Sequence, residues 1–158
     1  MININLNMKL LNIIPFAQYL GIKPKNQQGL ALDLRPEVHN HIGGMHAAAQ
    51  FTLAETQSGL YLLSLFPDSA TEMMPLLRSS SLKYKSPAST SLSARAWVNE
   101  TERAKFEVQY RKKGRGLLRI GVELVDEEGT VTMVSEFLWY VQRSSCVTYA
   151  THQEDHEI

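Results

Sequence analysis

The sequence predicts an α+β fold in which a curved antiparallel sheet wraps one long central helix. Three observations predict it. Met45 to about Phe66 is a long helical run, closed by Pro67 and apolar on nearly every side. Such a helix has to be covered on nearly every side. Beyond it the apolar residues recur at every second position, in segments joined by short turns, as in antiparallel strands. The strands follow the helix rather than alternating with further helices, which argues against a doubly wound α/β sheet.

Taken in order, Leu6, Leu10, Ile13, Ile14, Ala17 and Leu20 have helical spacing, so one or two short helices are expected over about 5–20, with a break near Pro15. Gly21 to Gln28 reads as a polar loop. Leu30, Leu32 and Leu34 alternate with Ala31, Asp33 and Arg35, as in a half-buried strand. Pro36 to Gly44 is a loop rich in His, Asn and Gly, and the long helix follows. Leu82 and Tyr84 alternate with Ser81, Lys83 and Lys85, and Leu92, Ala94, Ala96 and Val98 alternate with Ser93, Arg95 and Trp97. Residues 101–113 fit either a short helix or a strand extension. Leu118, Ile120, Val122 and Leu124 form another apolar face. Asp126-Glu127-Glu128-Gly129 reads as a hairpin turn whose glycine supplies a positive φ, and Val131 to Val141 is the last strand. The polar residues 144–158 form a frayed tail. No repeat or linker divides the chain, so residues 1–158 are expected to form a single domain with its core at about 29–141.

The chain has 158 residues, with 16 basic residues balanced by 16 acidic ones, which argues against a surface built to grip nucleic-acid phosphates. At 44% hydrophobic residues it is expected to fold rather than stay disordered. The lone Cys146 leaves no internal disulfide framework and no cysteine-rich zinc module, and it is compatible with a reducing compartment. No signal peptide is recognisable at the start. The most apolar stretch, Ala47 to Phe66, carries Gln50, Glu55, Gln57 and Ser58, which suits a buried helix better than a membrane span. A cytoplasmic protein without membrane insertion or nucleic-acid partner is expected.

Glu55 is the sole charged side chain between Ala47 and Phe66. Ala48, Thr52 and Gly59 share its face. If that face is buried, desolvation raises the carboxyl pKa and makes Glu55 a candidate base near neutral pH. If it reaches solvent, Gln50 and Gln57 mark a wet side. The segment His39-Asn40-His41-Ile42-Gly43-Gly44-Met45-His46 leads into the helix. Its histidines follow no recognised metal-ligand spacing, so no metal is assigned. No Ser, Thr, Asp or Asn stands directly before Met45 as a cap. The first helix N–H groups are therefore free to meet either water or a ligand oxygen.

Taken together, Asn40-x5-His46-Ala-Ala-x6-Glu55 resembles the signature of hotdog-fold acyl-CoA thioesterases. In the PaaI-like branch this reads Asn, then His-Gly-Gly, then an acid nine residues after the His. Phe51-Thr-Leu-Ala54 and Gly59 match the helix that follows. Tyr84-Lys-Ser-Pro-Ala-Ser to Leu92-Ser-Ala-Arg-Ala resembles the family's second and third strands, and Gly121 to Gly129 its final hairpin. The resemblance covers about residues 29–141. It is closest to uncharacterised thioesterase-like hotdog proteins that also occur as the C-terminal part of some acetyltransferases. Two positions depart from the pattern. Ala47-Ala48 replaces Gly-Gly, adding Cβ atoms beside the helix N–H groups, and the acid is Glu, as in another branch of the fold.

The resemblance implies thioester hydrolysis. Glu55 is then the general base on water or the nucleophile. The Ala47 N–H polarises the thioester oxygen, Asn40 positions the water or thioester, and His46 holds the loop. It also implies a homodimer or homotetramer in which Asn40 and Glu55 come from opposite chains. Coenzyme A enters as part of an acyl-CoA substrate, with no other cofactor. Lys83, Lys85, Arg111, Lys112, Lys113 and Arg115 are the candidates for its phosphates, or else belong to a solvated face. Phe51, Leu60, Tyr61, Met73, Met74 and Trp97 are either pocket lining or core. The competing expectation is a non-catalytic acyl-CoA binding module or accessory domain, which Ala47-Ala48 favours. Dehydratases and hydratases of the same fold use a His-plus-acid motif that is absent here.

Overall fold

The computed structural model describes residues 11, 12, 14–25 and 29–144. The expected helical segment over 5–10, residue 13 and the tail from 145 onward, Cys146 included, lie outside the described residues. The elements are α1 (Pro15–Tyr19), β1 (Lys23–Lys25), β2 (Gly29–Leu32), α2 (Ala47–Ser64), β3 (Met73–Tyr84), β4 (Leu92–Val98), α3 (Glu100–Lys113), β5 (Arg115–Val125) and β6 (Val131–Arg143). Short 3-10 turns at Pro36–Val38 and Ala70–Glu72 precede α2 and β3. The six strands form one antiparallel sheet in the order β1-β2-β4-β5-β6-β3. Helix α2 packs on β2, β4, β5 and β6. No helix among the described residues is long and apolar enough to cross a membrane.

The core lies between α2 and the inner sheet face. Leu53, Ala54, Leu60, Leu62 and Leu63 meet Leu118, Ile120, Val122, Leu124, Met133 and Phe137, all buried. Gln57 is buried because its Oε1 accepts the Leu30 N–H at 2.7 Å, which ties β2 to the helix. Gln50 is buried as well, so neither glutamine marks a wet side. The stripe Phe51, Glu55 and Gly59, at spacing four, is only half covered. It faces β6, where Phe51 meets Phe137 edge-on at 5.7 Å and a Cβ on Gly59 would stand 3.3 Å from the Trp139 ring.

Several boundaries differ from the sequence reading for identifiable reasons. Helix α2 begins at Ala47, two residues later than expected, because Met45 pairs with His39 in an isolated bridge and donates its N–H to Ala88 O at 2.8 Å. The expected loop at 21–28 contains β1, a short edge strand against β2. Strand β3 begins at Met73, well before its alternation becomes visible, with a bulge between Leu77 and Ser79.

Residues 100–113 are helical. The Asn99 side chain accepts the N–H groups of Thr101 and Glu102, Glu100 and Glu102 occupy the first turn, and Arg111, Lys112 and Lys113 the last. Gly114, at φ +65°, ends α3 and donates to Tyr110 O. The 126–129 hairpin forms as expected, with Gly129 at φ +89° and Asp126 Oδ1 accepting from Glu128 and Thr130.

Candidate active site at the start of the central helix

The loop before α2 is built around Asn40. Its Oδ1 accepts the N–H groups of Ile42 and Gly44, each at 3.0 Å, and its own N–H donates to Gly44 O at 2.7 Å. Gly43 sits at φ +82°, which a side chain would resist. The loop is pinned on both sides, since Met45 N–H reaches Ala88 O and His46 N–H reaches Val38 O, both at 2.8 Å. With its oxygen committed to the turn, Asn40 can address a ligand only as a donor, through Nδ2.

His46 caps α2. The Ala48 N–H donates to its Nδ1 at 3.0 Å, so the expectation of an uncapped first turn is corrected. An acceptor Nδ1 leaves the ring proton on Nε2. The Ala47 N–H has no acceptor among the described residues, and Ala47 is exposed. A donor at a helix N-terminus, unpaired and reachable, is suited to an oxygen that gains negative charge. Tyr84 Oη donates to Ala47 O at 2.9 Å, and burial raises the Tyr84 pKa above the ordinary phenol value.

A pocket of about 420 Å³ opens here, lined by Asn40, Gly44, Ala47, Gln50, Tyr84 and Lys85 among others. Eight residues separate Glu55 from Ala47, roughly 12 Å along the helix axis. Burial is the larger influence on its carboxyl and raises the pKa, while a hydrogen bond from the Thr56 side chain pulls the other way. No cation pairs with it among the described residues.

A family model described as a domain of unknown function, DUF4442, matches residues 17–141. The chain belongs to the DUF4442 family. Solved structures show its fold. A protein of unknown function from Pseudomonas aeruginosa, described as a "probable thioesterase", is 24% identical at TM-score 0.75, over 90% of this chain and 97% of that one. A thioesterase from Haemophilus influenzae is 17% identical at TM-score 0.68, over 94% and 92%. A Bacillus halodurans protein solved with CoA is 17% identical at TM-score 0.62, over 87% and 86%. No curated protein matches. The fold is the hotdog fold, as the sequence motifs implied.

This DUF4442 chain brings Asn40, His46, Ala47 and Lys85 together at the start of α2. Lys83, two residues before Lys85, is exposed on β3 and does not line the pocket. Arg111, Lys112, Lys113 and Arg115 lie at the far end of the sheet. Arg115 pairs with Gln142, whereas Tyr84 pairs with Met133, nine residues and roughly 30 Å away along β6. Arg111 instead borders a second pocket, of about 300 Å³, beside Phe66, Phe106, Tyr110 and Arg143.

Of the apolar candidates for pocket lining, Leu60 and Met73 are buried, and Phe51, Tyr61 and Met74 half-buried. Trp97 is exposed and lies over Gly121, where a Cβ would collide with its ring. None of the six lines the pocket at Ala47. Sequence reasoning missed Gln50 as a pocket residue. The available signal was its position three residues after Ala47, on the same helix face.

Proposed function

We propose that the chain hydrolyses acyl-CoA thioesters at a site that two copies complete together. The observation that carries this reading is Glu55. It is a half-buried carboxylate on the half-covered stripe of α2, and among the described residues it has no cationic partner and the first N–H of the same helix has no acceptor. Within one chain the two groups are too far apart to act on one carbonyl. A second copy, as in the shared site that the sequence resemblance implies, supplies the missing half. Strand β3 is a twelve-residue edge whose outer side is unpaired among the described residues, and it is suited to an isologous pairing. A two-fold axis runs such strands antiparallel, so the Arg111–Arg115 end of one chain approaches the Lys85 end of the other. That brings both groups of phosphate candidates to one substrate.

In the reaction, Glu55 takes a proton from water as the water oxygen bonds to the thioester carbon. Negative charge moves to the carbonyl oxygen, where the Ala47 N–H receives it. Collapse breaks the C–S bond and releases a carboxylic acid and the coenzyme A thiol, with the proton returned from Glu55 to sulfur. Direct attack by Glu55, giving an anhydride that water then cleaves, uses the same atoms. His46 fixes the helix start and Asn40 donates from Nδ2 to the substrate oxygen or the water. The proposed setting is the cytoplasm.

A second reading is a non-catalytic acyl-CoA binder. It is favoured by the methyl groups of Ala47 and Ala48, both exposed beside the free N–H. Turnover of an acyl-CoA panel by wild type and Glu55→Gln separates the two. The proposal expects hydrolysis that falls on the order of a hundredfold or more in the variant, with acyl-CoA binding retained. Binding without hydrolysis in wild type would support the second reading.

A further inference from the structure

Tyr84 has no part in the reaction just described. It closes β3 opposite the buried Met133, so alternation turns its side chain to the face that meets α2. The side chain reaches the first turn of the helix, where Oη donates to Ala47 O at 2.9 Å. Tyr84 is 43% exposed and lines the pocket together with Ala47, so this bond lies at the pocket wall rather than in the core. Partial burial raises its pKa above the ordinary phenol value, which keeps the proton on Oη at neutral pH. A hydroxyl carries one proton and two lone pairs. With the proton committed to Ala47 O, Tyr84 Oη meets a ligand as an acceptor.

Distance selects the donor. Within one residue the N and O atoms stand at most about 3.6 Å apart, so Tyr84 Oη lies within roughly 6.5 Å of Ala47 N. A thioester oxygen held by that N–H is linked to the first amide nitrogen of the pantetheine arm through five bonds, a span of about 5 Å. Hydrogen bonds of about 2.9 Å at each end let one ligand meet both groups. The second amide nitrogen is about twice as far from the thioester. We propose that Tyr84 Oη accepts the N–H of the pantetheine amide nearest the thioester, and so positions the scissile carbonyl on the Ala47 N–H. The proposal rests on the acyl-CoA reading above and adds a substrate-binding residue to the same site.

The test uses thioesters of one acyl group with N-acetylcysteamine, which keeps that amide, and with the analogue in which CH2 replaces the N–H. Thiol release is followed for wild type, Tyr84→Phe and Tyr84→Trp. Wild type should favour the amide member about fivefold in kcat/KM, mostly through KM, because the contact is remote from the bond that breaks. The ratio should fall to about one in Tyr84→Phe, which has no hydroxyl, and in Tyr84→Trp, whose indole N–H donates but offers no lone pair. No preference in wild type overturns the proposal, whether or not the variants fold. A preference that survives in either folded variant overturns it too, and leaves the hydroxyl as a tie between β3 and the helix start. Acyl-CoA turnover by wild type reports separately on the hydrolytic reading. Turnover without a preference within the pair leaves that reading standing and ends the proposal. If wild type hydrolyses nothing, calorimetric Kd values for the same pair decide. A fivefold preference there, lost in both variants, upholds the contact while ending the hydrolytic reading, and equal Kd values end both.

Discussion

Glu55 carries two linked pH effects. Burial raises its folded-state pKa above that of a free glutamate. The native chain therefore keeps the proton over a range in which the unfolded chain has released it. Stability from this group is greatest at low pH and declines as pH rises from the unfolded value through the folded one. Catalysis runs the opposite way, since a base must be ionised, so kcat/KM should climb through that window. Glu55→Gln should remove the stability slope along with the activity, and should leave the protein as stable or more stable above the window. Chemical denaturation across pH checks this. A variant that unfolds instead would make Glu55 a structural partner. At Ala47 the added Cβ stands beside the free N–H. Ala47→Gly should raise activity on bulky acyl-CoAs while costing at most about 1 kcal/mol of stability. A stable glycine variant with unchanged rates on every substrate would show that the methyl does not obstruct.

At the scale of elements, the basic run Arg111-Lys112-Lys113 has a local reason to exist, because it closes α3 next to the Gly114 cap and opposes the helix dipole. The proposal adds a second role across the dimer. Reversing Lys85, or the charges of Arg111–Arg115, should raise KM with kcat nearly unchanged, because these contacts are remote from the bond that breaks. A lowered Tm with unchanged KM for the Arg111–Arg115 variants would leave them as helix-terminal charges alone. The same helix shows where sequence pattern stops informing. Among its fourteen residues only Phe106 and Tyr110 are buried, so no broad apolar stripe announces it. The start of α2 was similarly hidden, because histidine is not among the usual capping residues, yet His46 Nδ1 takes the Ala48 N–H. Strands β4, β5 and β6, where every second side chain enters the core, were legible as alternation.

For the whole molecule, the architecture was readable because α2 is apolar on nearly every side and the later strands alternate, and these two facts admit few arrangements. The spatial grouping of the site was less readable. Spacing within a motif says which residues travel together along a helix, and it placed Asn40, His46 and Ala47 correctly at one end of α2. It carries no information on which end of a sheet a distant cluster will occupy, so Lys85 and Arg111 stood as one group until the register of β3, β5 and β6 separated them. The account requires at least a homodimer, and a strictly monomeric mass by light scattering at micromolar concentration would remove the shared site. Subunit mixing tests that site most directly. Asn40→Ala and Glu55→Gln, each inactive alone, are unfolded and refolded together in equal amounts and assayed on acyl-CoA. If Asn40 and Glu55 act from opposite chains, half the dimers are mixed, and each of these holds one intact site and one doubly altered site. Activity should then return to about one quarter of wild type. Mixed dimers, verified by mass, that remain as inactive as their parents would contradict the account.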